Sequence, residues 1–210
     1  MEYCLNNNNF NDYFALRDKI DSKAAEITAY YSDNIKCRSG CSSCCIPISL
    51  MPAEFYAIKK ELEDKKLPPG FFRGFSGRAA EIRNGKTGTA PSAEAGTIST
   101  GPQSCIFLNN SACSIYRHRP LICRTQGLPL LYYSEDLENY TITVCGLNFT
   151  EADDEFEFDT EYSIDLDRLN SSLYRINKNF IEKNRYQPGK APDGRIPLEI
   201  LFEFLTSERN

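Results

Sequence analysis

Apolar side chains recur every three or four residues in several stretches of the chain, which is the spacing of one face of an α-helix. The first stretch runs from Phe10 to Tyr31. A second follows Pro52, a residue that fits the first turn of a helix, and a third predicts a helix from about Asp165 to Asn184. A last apolar segment from Ile196 to Leu205 completes a C-terminal helical part over about residues 163–206. The pattern therefore predicts a mainly helical protein.

Short extended stretches predict a few β-strands between these helices. Asn109, Asn110 and Ser111 are typical of a tight turn between two such strands. Leu128–Tyr133 and Tyr140–Cys145 have the pattern of a hairpin. Together with the helices, these stretches predict a small, irregular α+β fold, mainly α with a few short β-strands, in a single domain over residues 1–210.

The segment from Asn84 to Ser104 follows neither pattern. It is rich in Gly, Thr, Ser, Ala and Pro and contains almost no large apolar residue. Because such a segment buries too little apolar surface to offset the entropy lost on ordering, its composition predicts a flexible loop over about residues 84–104.

Composition excludes some classes of function without choosing one. Hydrophobic residues at 41% and charged residues at 25% are ordinary for a globular protein. A net charge of −5 does not favour nucleic-acid binding, and no run approaches the roughly 18 apolar residues that cross a bilayer. We therefore predict no nucleic-acid partner and no membrane partner. The first residues also lack the basic and apolar regions of a secretory signal, so we expect a cytoplasmic location.

The cysteines are the main chemical signal in the sequence. Four of the nine lie close together, with the spacing Cys37-x3-Cys41-x2-Cys44-Cys45. A hydrophobic core does not need several thiols side by side, and cysteines in a reducing compartment are more often metal ligands or redox groups than disulfides. Leaving out Cys4, the sequence predicts a cysteine-rich metal-binding region over about residues 37–145. Its eight candidate ligands are Cys37, Cys41, Cys44, Cys45, Cys105, Cys113, Cys123 and Cys145.

Ligands that are all thiolates favour zinc, copper(I) or an iron–sulfur cluster over magnesium or calcium. Eight thiols suit two tetrahedral zinc sites, two four-cysteine clusters, or one cluster with further thiols around it. Zinc ribbons use two C-x2-C spacings, whereas this chain has one, from Cys41 to Cys44. We therefore favour an iron–sulfur cluster, one or two in number and of the [4Fe–4S] type, with zinc as the alternative.

Three arginines accompany the second group of cysteines. Arg117, Arg119 and Arg124 lie in the sequence around Cys113 and Cys123. Guanidinium groups there could offset the negative charge of metal-bound thiolates, donate hydrogen bonds to sulfur, or instead bind an anionic substrate. We predict these arginines as cofactor-binding residues.

No other motif assigns a reaction. The chain lacks a Gly-rich phosphate loop, an H-E-x-x-H pair and a nucleophile elbow. One hypothesis is an iron–sulfur protein with a redox or protein-modifying role towards an unknown protein partner or substrate. The second is a zinc-binding structural or interaction module without catalysis. The third is a thiol-based redox sensor or metal store.

The combined cysteine pattern resembles one known family. After Cys37-x3-Cys41-x2-Cys44-Cys45, the chain continues with Cys105-x-Phe-Leu, then Cys113-x-Ile-Tyr-x-x-Arg-Pro-x-x-Cys123-Arg, and later Cys145. This order is similar to the YkgJ-type cysteine cluster family, which is described as zinc- or iron-chelating. The resemblance implies that the eight cysteines are the metal-binding set. It extends distantly to flagellin lysine N-methylases, whose similar cysteine domain is associated with an iron–sulfur cluster.

Overall fold

A computed structural model gives the architecture of the chain and describes residues 10–65, 104–153, 155–186 and 194–207. Apart from Ser104, the predicted flexible loop of about residues 84–104 lies outside the described residues. The chain divides into two compact units. Unit 1 comprises Met1–Arg38 and Pro120–Gln187, and unit 2 comprises Ser39–Arg119 and Pro188–Asn210. The predicted single domain over residues 1–210 stays a prediction.

The elements of the described residues are five α-helices and seven short strands. In chain order they are α1 (Asn11–Tyr30), β1 (Ser49–Leu50), α2 (Pro52–Asp64), β2 (Leu108–Asn109), β3 (Ala112–Cys113), α3 (Leu121–Thr125), β4 (Leu130–Ser134), β5 (Asn139–Thr143), β6 (Ile164–Asp165), α4 (Leu166–Asn184), β7 (Ile196–Pro197) and α5 (Leu198–Ser207). The predicted fold class, mainly α with a few short strands, is confirmed.

Unit 1 is organised around its two long helices. The first and last of its helices, α1 and α4, pack against each other, and the rings of Phe10 and Phe180 stack with centroids 5.8 Å apart. Tyr13 and Ile27 of α1 are fully buried, as the three-and-four spacing predicts. Helix α4 begins at a cap, because the Asp165 carboxylate accepts a hydrogen bond from the Arg168 N–H at 2.8 Å.

A small sheet completes unit 1. Strands β4 and β5 form an antiparallel hairpin, and β6 pairs with β4 in parallel. The predicted hairpin is therefore confirmed, although β5 ends at Thr143 and Cys145 follows it in a turn. Cys145 therefore lies two residues after the end of a strand that backbone hydrogen bonds fix in the hairpin.

Unit 2 is built on the helix pair α2 and α5, which pack against each other. Phe55, Ile58 and Leu62 of α2 are fully buried, and Leu201 of α5 is fully buried as well. Strands β1 and β7 pair antiparallel, so Pro197 lies opposite Ser49 in the ladder. Helix α5 begins directly after this proline, at Leu198.

The hairpin that the structure describes in unit 2 follows one cysteine and contains another. Strands β2 and β3 are joined through Asn110 and Ser111, whose φ angles of 48° and 59° lie in the left-handed region. Two such residues in succession are typical of the turns that join hairpin strands tightly, so the predicted turn is confirmed. The hairpin follows Cys105 and ends at Cys113.

Among the helices that the structure describes, none has an apolar stretch long enough to cross a lipid bilayer.

Candidate metal centre

All eight predicted metal ligands lie within the described residues, and all are free thiols. Cys37 and Cys44 are exposed, and the other six are partly buried. Unit 1 contains Cys37, Cys123 and Cys145, whereas unit 2 contains Cys41, Cys44, Cys45, Cys105 and Cys113. We describe the thiols of unit 2 first.

The backbone turns sharply at the adjacent pair Cys44 and Cys45. The Cys45 N–H donates to the Ser42 carbonyl at 2.9 Å, and the Ile46 N–H donates to the Cys44 carbonyl at 3.0 Å, which closes a three-residue turn. In extended backbone, adjacent side chains point to opposite faces. Here the turn brings the two thiols together, and they share a hydrogen bond. That bond is the main cause that raises the pKa of the Cys44 thiol far above its ordinary value.

Cys113 and Cys105 lie near this pair. Cys113 is close enough to Cys44 for their charges to interact, and burial is the main cause that raises the pKa of the Cys113 thiol. The Ile115 N–H forms a hydrogen bond with the Cys113 sulfur, which lowers that pKa in part. The Cys105 N–H donates to the Cys45 carbonyl at 2.8 Å. Unit 2 therefore brings the adjacent pair and Cys113 into one neighbourhood, with the backbone of Cys105 bonded to that of Cys45.

Arg119 supplies positive charge to the same neighbourhood. Its guanidinium lowers the pKa of both Cys44 and Cys113, against the larger effects of burial and the thiol pair. The guanidinium carbon lies 3.8 Å from the centroid of the Tyr116 ring, a cation–π contact that fixes the head group. Arg117 is exposed on the same short 3₁₀ turn, Tyr116–His118. The cofactor-binding roles of Arg117 and Arg119 stay predictions, and the position of Arg119 favours its role.

His118, the only histidine in the chain, is held by helix α2. Its Nδ1 lies 2.8 Å from a carboxylate oxygen of Glu61, and its Nε2 lies 3.4 Å from the Lys65 Nζ. One ring nitrogen thus faces an α2 side chain, and the other faces the residue that follows α2.

In unit 1, three segments that carry cysteines meet at Asn148 and Gly127. Gly127 has a φ of +92°, and a Cβ there would lie 3.4 Å from the Cys37 Sγ and 3.3 Å from the Asn148 Nδ2. The buried Asn148 side chain accepts a hydrogen bond from the Lys36 N–H at 2.9 Å and donates one to the Gly127 carbonyl at 2.6 Å. Its own N–H donates to the Cys145 carbonyl at 2.8 Å. The sequence did not single out Asn148 or Gly127, since an asparagine in a loop has no distinctive spacing.

Arg124 has a different environment from Arg119. Its side chain is only 4% exposed, and its Nη1 lies 2.6 and 2.7 Å from the two carboxylate oxygens of Asp21. This ion pair joins the short helix α3, which carries Cys123, to α1. The predicted cofactor-binding role of Arg124 stays a prediction, and what the structure describes for this side chain is a link between two helices.

We expect the Asp21→Ala substitution to lower the free energy of unfolding by about 2 kcal/mol, since hydrogen bonds to a charged group contribute roughly 1.5–3 kcal/mol. Urea denaturation followed by circular dichroism measures the change. Asp18→Ala is the matched control, because Asp18 lies on the same helix with a side chain that is 73% exposed. The control should change the stability by less than about 0.5 kcal/mol, and equal effects of the two variants would contradict the prediction.

Among the described thiols, Cys44 and Cys45 are joined by a hydrogen bond. Within either unit, no three His, Cys, Asp or Glu side chains of the described residues are arranged so that they could hold a metal ion. The chemistry of the donor set still fits a soft metal, because the predicted ligands are thiols throughout. The eight-cysteine ligand set therefore stays a prediction about the metal-bound protein.

Comparison with known proteins agrees with the thiol pattern. The model of the CxxCxxCC family, described as "Putative zinc- or iron-chelating domain", matches residues 36–145. This range covers just over half of the 210 residues and contains all eight predicted ligands. No curated protein and no solved structure matches the chain. The more distant similarity to lysine N-methylases thus stays a prediction.

Proposed function

Because this chain belongs to the CxxCxxCC family of zinc- or iron-chelating domains, we propose that its cysteine thiolates hold an iron–sulfur cluster, one or two per chain. The observation that carries the proposal is the neighbourhood of Cys44, Cys45 and Cys113, with Arg119 beside them. The eight cysteines are the pool from which each cluster takes four ligands, with the [4Fe–4S] type favoured.

The charge of the site supports this proposal. Four thiolates around a metal centre carry net negative charge, which a nearby guanidinium offsets. Arg119 already acts electrostatically on Cys44 and Cys113, and the Ile115 N–H forms a hydrogen bond with the Cys113 sulfur. Net charge and N–H···S bonds are two of the means by which proteins tune the potential of such clusters. Arg119 and Ile115 would serve this purpose in the chain.

A redox or protein-modifying role follows as the finer part of the proposal. When bound, an iron–sulfur cluster supplies one-electron transfer, and its rate depends on how near a partner can approach. Cys44 is an exposed cysteine in the neighbourhood of Arg119. We propose that an electron partner or a substrate protein approaches the cluster on this side.

One observation favours a second candidate, a structural zinc module. Cys41 and Cys44 have the C-x2-C spacing of a zinc knuckle. In that case the metal would contribute folding free energy and no reaction. The two candidates differ in colour, redox behaviour and elemental content.

The decisive experiment is to purify the chain without oxygen and to measure its visible spectrum together with its iron, acid-labile sulfide and zinc. We expect a brown protein with iron and sulfide in equal amounts. A colourless protein with stoichiometric zinc would replace the cluster by the zinc module. A protein with neither metal would contradict both. Cys4→Ser is the control variant, since Cys4 lies outside the cysteine pattern and its loss should leave the metal content unchanged.

A further inference from the structure

We propose that Asn148 is a positioning residue of the metal centre, which holds Cys37 and Cys145 in the arrangement that metal binding needs. The inference rests on the proposed function, because it assumes that both cysteines are ligands. Asn148 itself supplies no metal ligand in this proposal. It acts through the backbone segments that carry the two thiols.

The first step of the argument is the set of hydrogen bonds that Asn148 makes. Its side-chain Oδ1 accepts from the N–H of Lys36, the residue directly before Cys37, at 2.9 Å. Its Nδ2 donates to the Gly127 carbonyl at 2.6 Å, and its backbone N–H donates to the Cys145 carbonyl at 2.8 Å. Asn148 therefore links the segment that carries Cys37 to the segment that carries Cys145. Its bond to Lys36 spans 112 positions of the sequence.

The second step is that Asn148 is itself fixed. The next residue, Phe149, donates its N–H to the Asn34 carbonyl at 2.9 Å, and its buried ring packs against Tyr31 at a centroid distance of 5.2 Å. Phe149 also has a φ of 58°, which a phenylalanine adopts only where its surroundings hold it. The backbone of Asn148 is thus held in place. The segments that bond to Asn148 are therefore positioned relative to it.

The third step is the close approach at Gly127. Glycine leaves room there for the Cys37 sulfur and the Asn148 amide, since a Cβ would come within 3.4 Å of the first and 3.3 Å of the second. A residue with a side chain would be strained at the φ of +92°, and its Cβ would press on the Asn148 amide, which would have to move by a few tenths of an ångström. The missing side chain at Gly127 and the hydrogen bonds of Asn148 therefore both favour the observed position of Cys37.

The expected loss of metal affinity on replacing Asn148 can be estimated from other metal sites. Residues that orient metal ligands without binding the metal typically contribute 10- to 100-fold to metal affinity. An asparagine with both functional ends of its amide bonded to backbone is expected to lie in this range. A purely structural asparagine would change stability and leave the affinity of the folded protein alone.

The test is a titration of the reduced, metal-free protein with cobalt(II) in competition with a chelator, followed by thiolate-to-cobalt absorption. We compare the wild type with Asn148→Ala and Asn148→Asp, and we work well below every melting temperature. Asn148→Asp keeps the shape and the acceptor for Lys36 but places a carboxylate oxygen against the Gly127 carbonyl. We expect both variants to bind cobalt roughly 10- to 100-fold more weakly.

The matched control is Asn177→Ala, which removes another buried asparagine from the same unit. It should lower the melting temperature and keep the cobalt affinity of the wild type. If the variants of Asn148 bind cobalt as tightly as the wild type, or if Asn177→Ala weakens binding equally, the positioning role is wrong and the proposed function stands. If the wild type itself shows no thiolate-to-cobalt absorption, the positioning role is wrong as stated, whereas the proposed function is decided by the iron, sulfide and zinc content of the purified protein.

Discussion

Replacing Cys44 with serine is expected to remove most of the bound metal and to lower the melting temperature of the metal-loaded protein. Removing a ligand should weaken binding by at least the roughly 100-fold at the upper end of what ligand-orienting residues contribute. A metal that binds only the folded state stabilises it by about 2.7 kcal/mol for each such 100-fold. For a chain of this length that corresponds to a fall of roughly 5–10 °C. Differential scanning calorimetry and elemental analysis of the same samples measure both effects.

Cys123→Ser makes the same test in unit 1, so the pair of variants examines both groups of cysteines. The metal-free forms of the wild type and of each variant are the internal control. They should melt within a few degrees of one another, because serine nearly matches cysteine in size and the loss comes from the metal. Unchanged metal content in both variants would remove Cys44 and Cys123 from the ligand set.

Replacing Phe107 with alanine is expected to lower the free energy of unfolding by about 3–5 kcal/mol, the usual cost of removing a buried aromatic ring. Phe107 is fully buried, and its ring meets Phe202 of α5 edge to face, with centroids 6.3 Å apart. Its carbonyl accepts a hydrogen bond from the Ser114 N–H at 2.8 Å. The ring thus supports the hairpin that follows Cys105 and ends at Cys113, and its loss should also loosen those two cysteines. Urea denaturation of the metal-free protein measures the change.

Two control variants distinguish the cost of the cavity left by Phe107→Ala from the cost of removing any aromatic ring. Phe107→Leu keeps most of the apolar volume and should cost clearly less than Phe107→Ala. Tyr174→Ala truncates a ring that is 61% exposed, so it should change the stability by less than about 0.5 kcal/mol. A cost below about 1 kcal/mol for Phe107→Ala would show that the hairpin does not depend on this ring.

The parts of the fold that depend on local sequence could be predicted. Helix α4 is visible in the sequence because its apolar residues recur with the helical period, and the turn at Asn110 is visible because few residue types adopt a positive φ. The eight thiols could be identified for the same reason, since their spacing is a property of the sequence itself. Each of these signals lies within a few neighbouring residues.

The contacts that organise the candidate site depend on residues far apart in sequence. Asn148 bonds to Lys36 across 112 positions, and Arg124 bonds to Asp21 across 103. Neither pair has a spacing that could be recognised, because any polar side chain in a loop could have made such a bond. The sequence predicts Arg124 as a cofactor-binding residue together with Arg117 and Arg119 because it follows Cys123, whereas its side chain extends to α1. Chain neighbours of a cysteine are therefore weaker candidates for cofactor binding than residues such as Arg119, whose charge acts on the thiols.

The interleaved course of the chain limits how this protein could have changed over evolutionary time. Each unit consists of two stretches of sequence, and the stretches of the two units alternate along the chain. The first change of unit falls between Cys37 and Cys41. No single crossover in the gene could exchange one unit and leave the other complete. The cysteine-rich stretch of residues 36–145 contains neither α1 nor α4 of unit 1, and it lacks β7 and α5 of unit 2. A lineage that acquired only that stretch by recombination would inherit the thiols without the helices that support them.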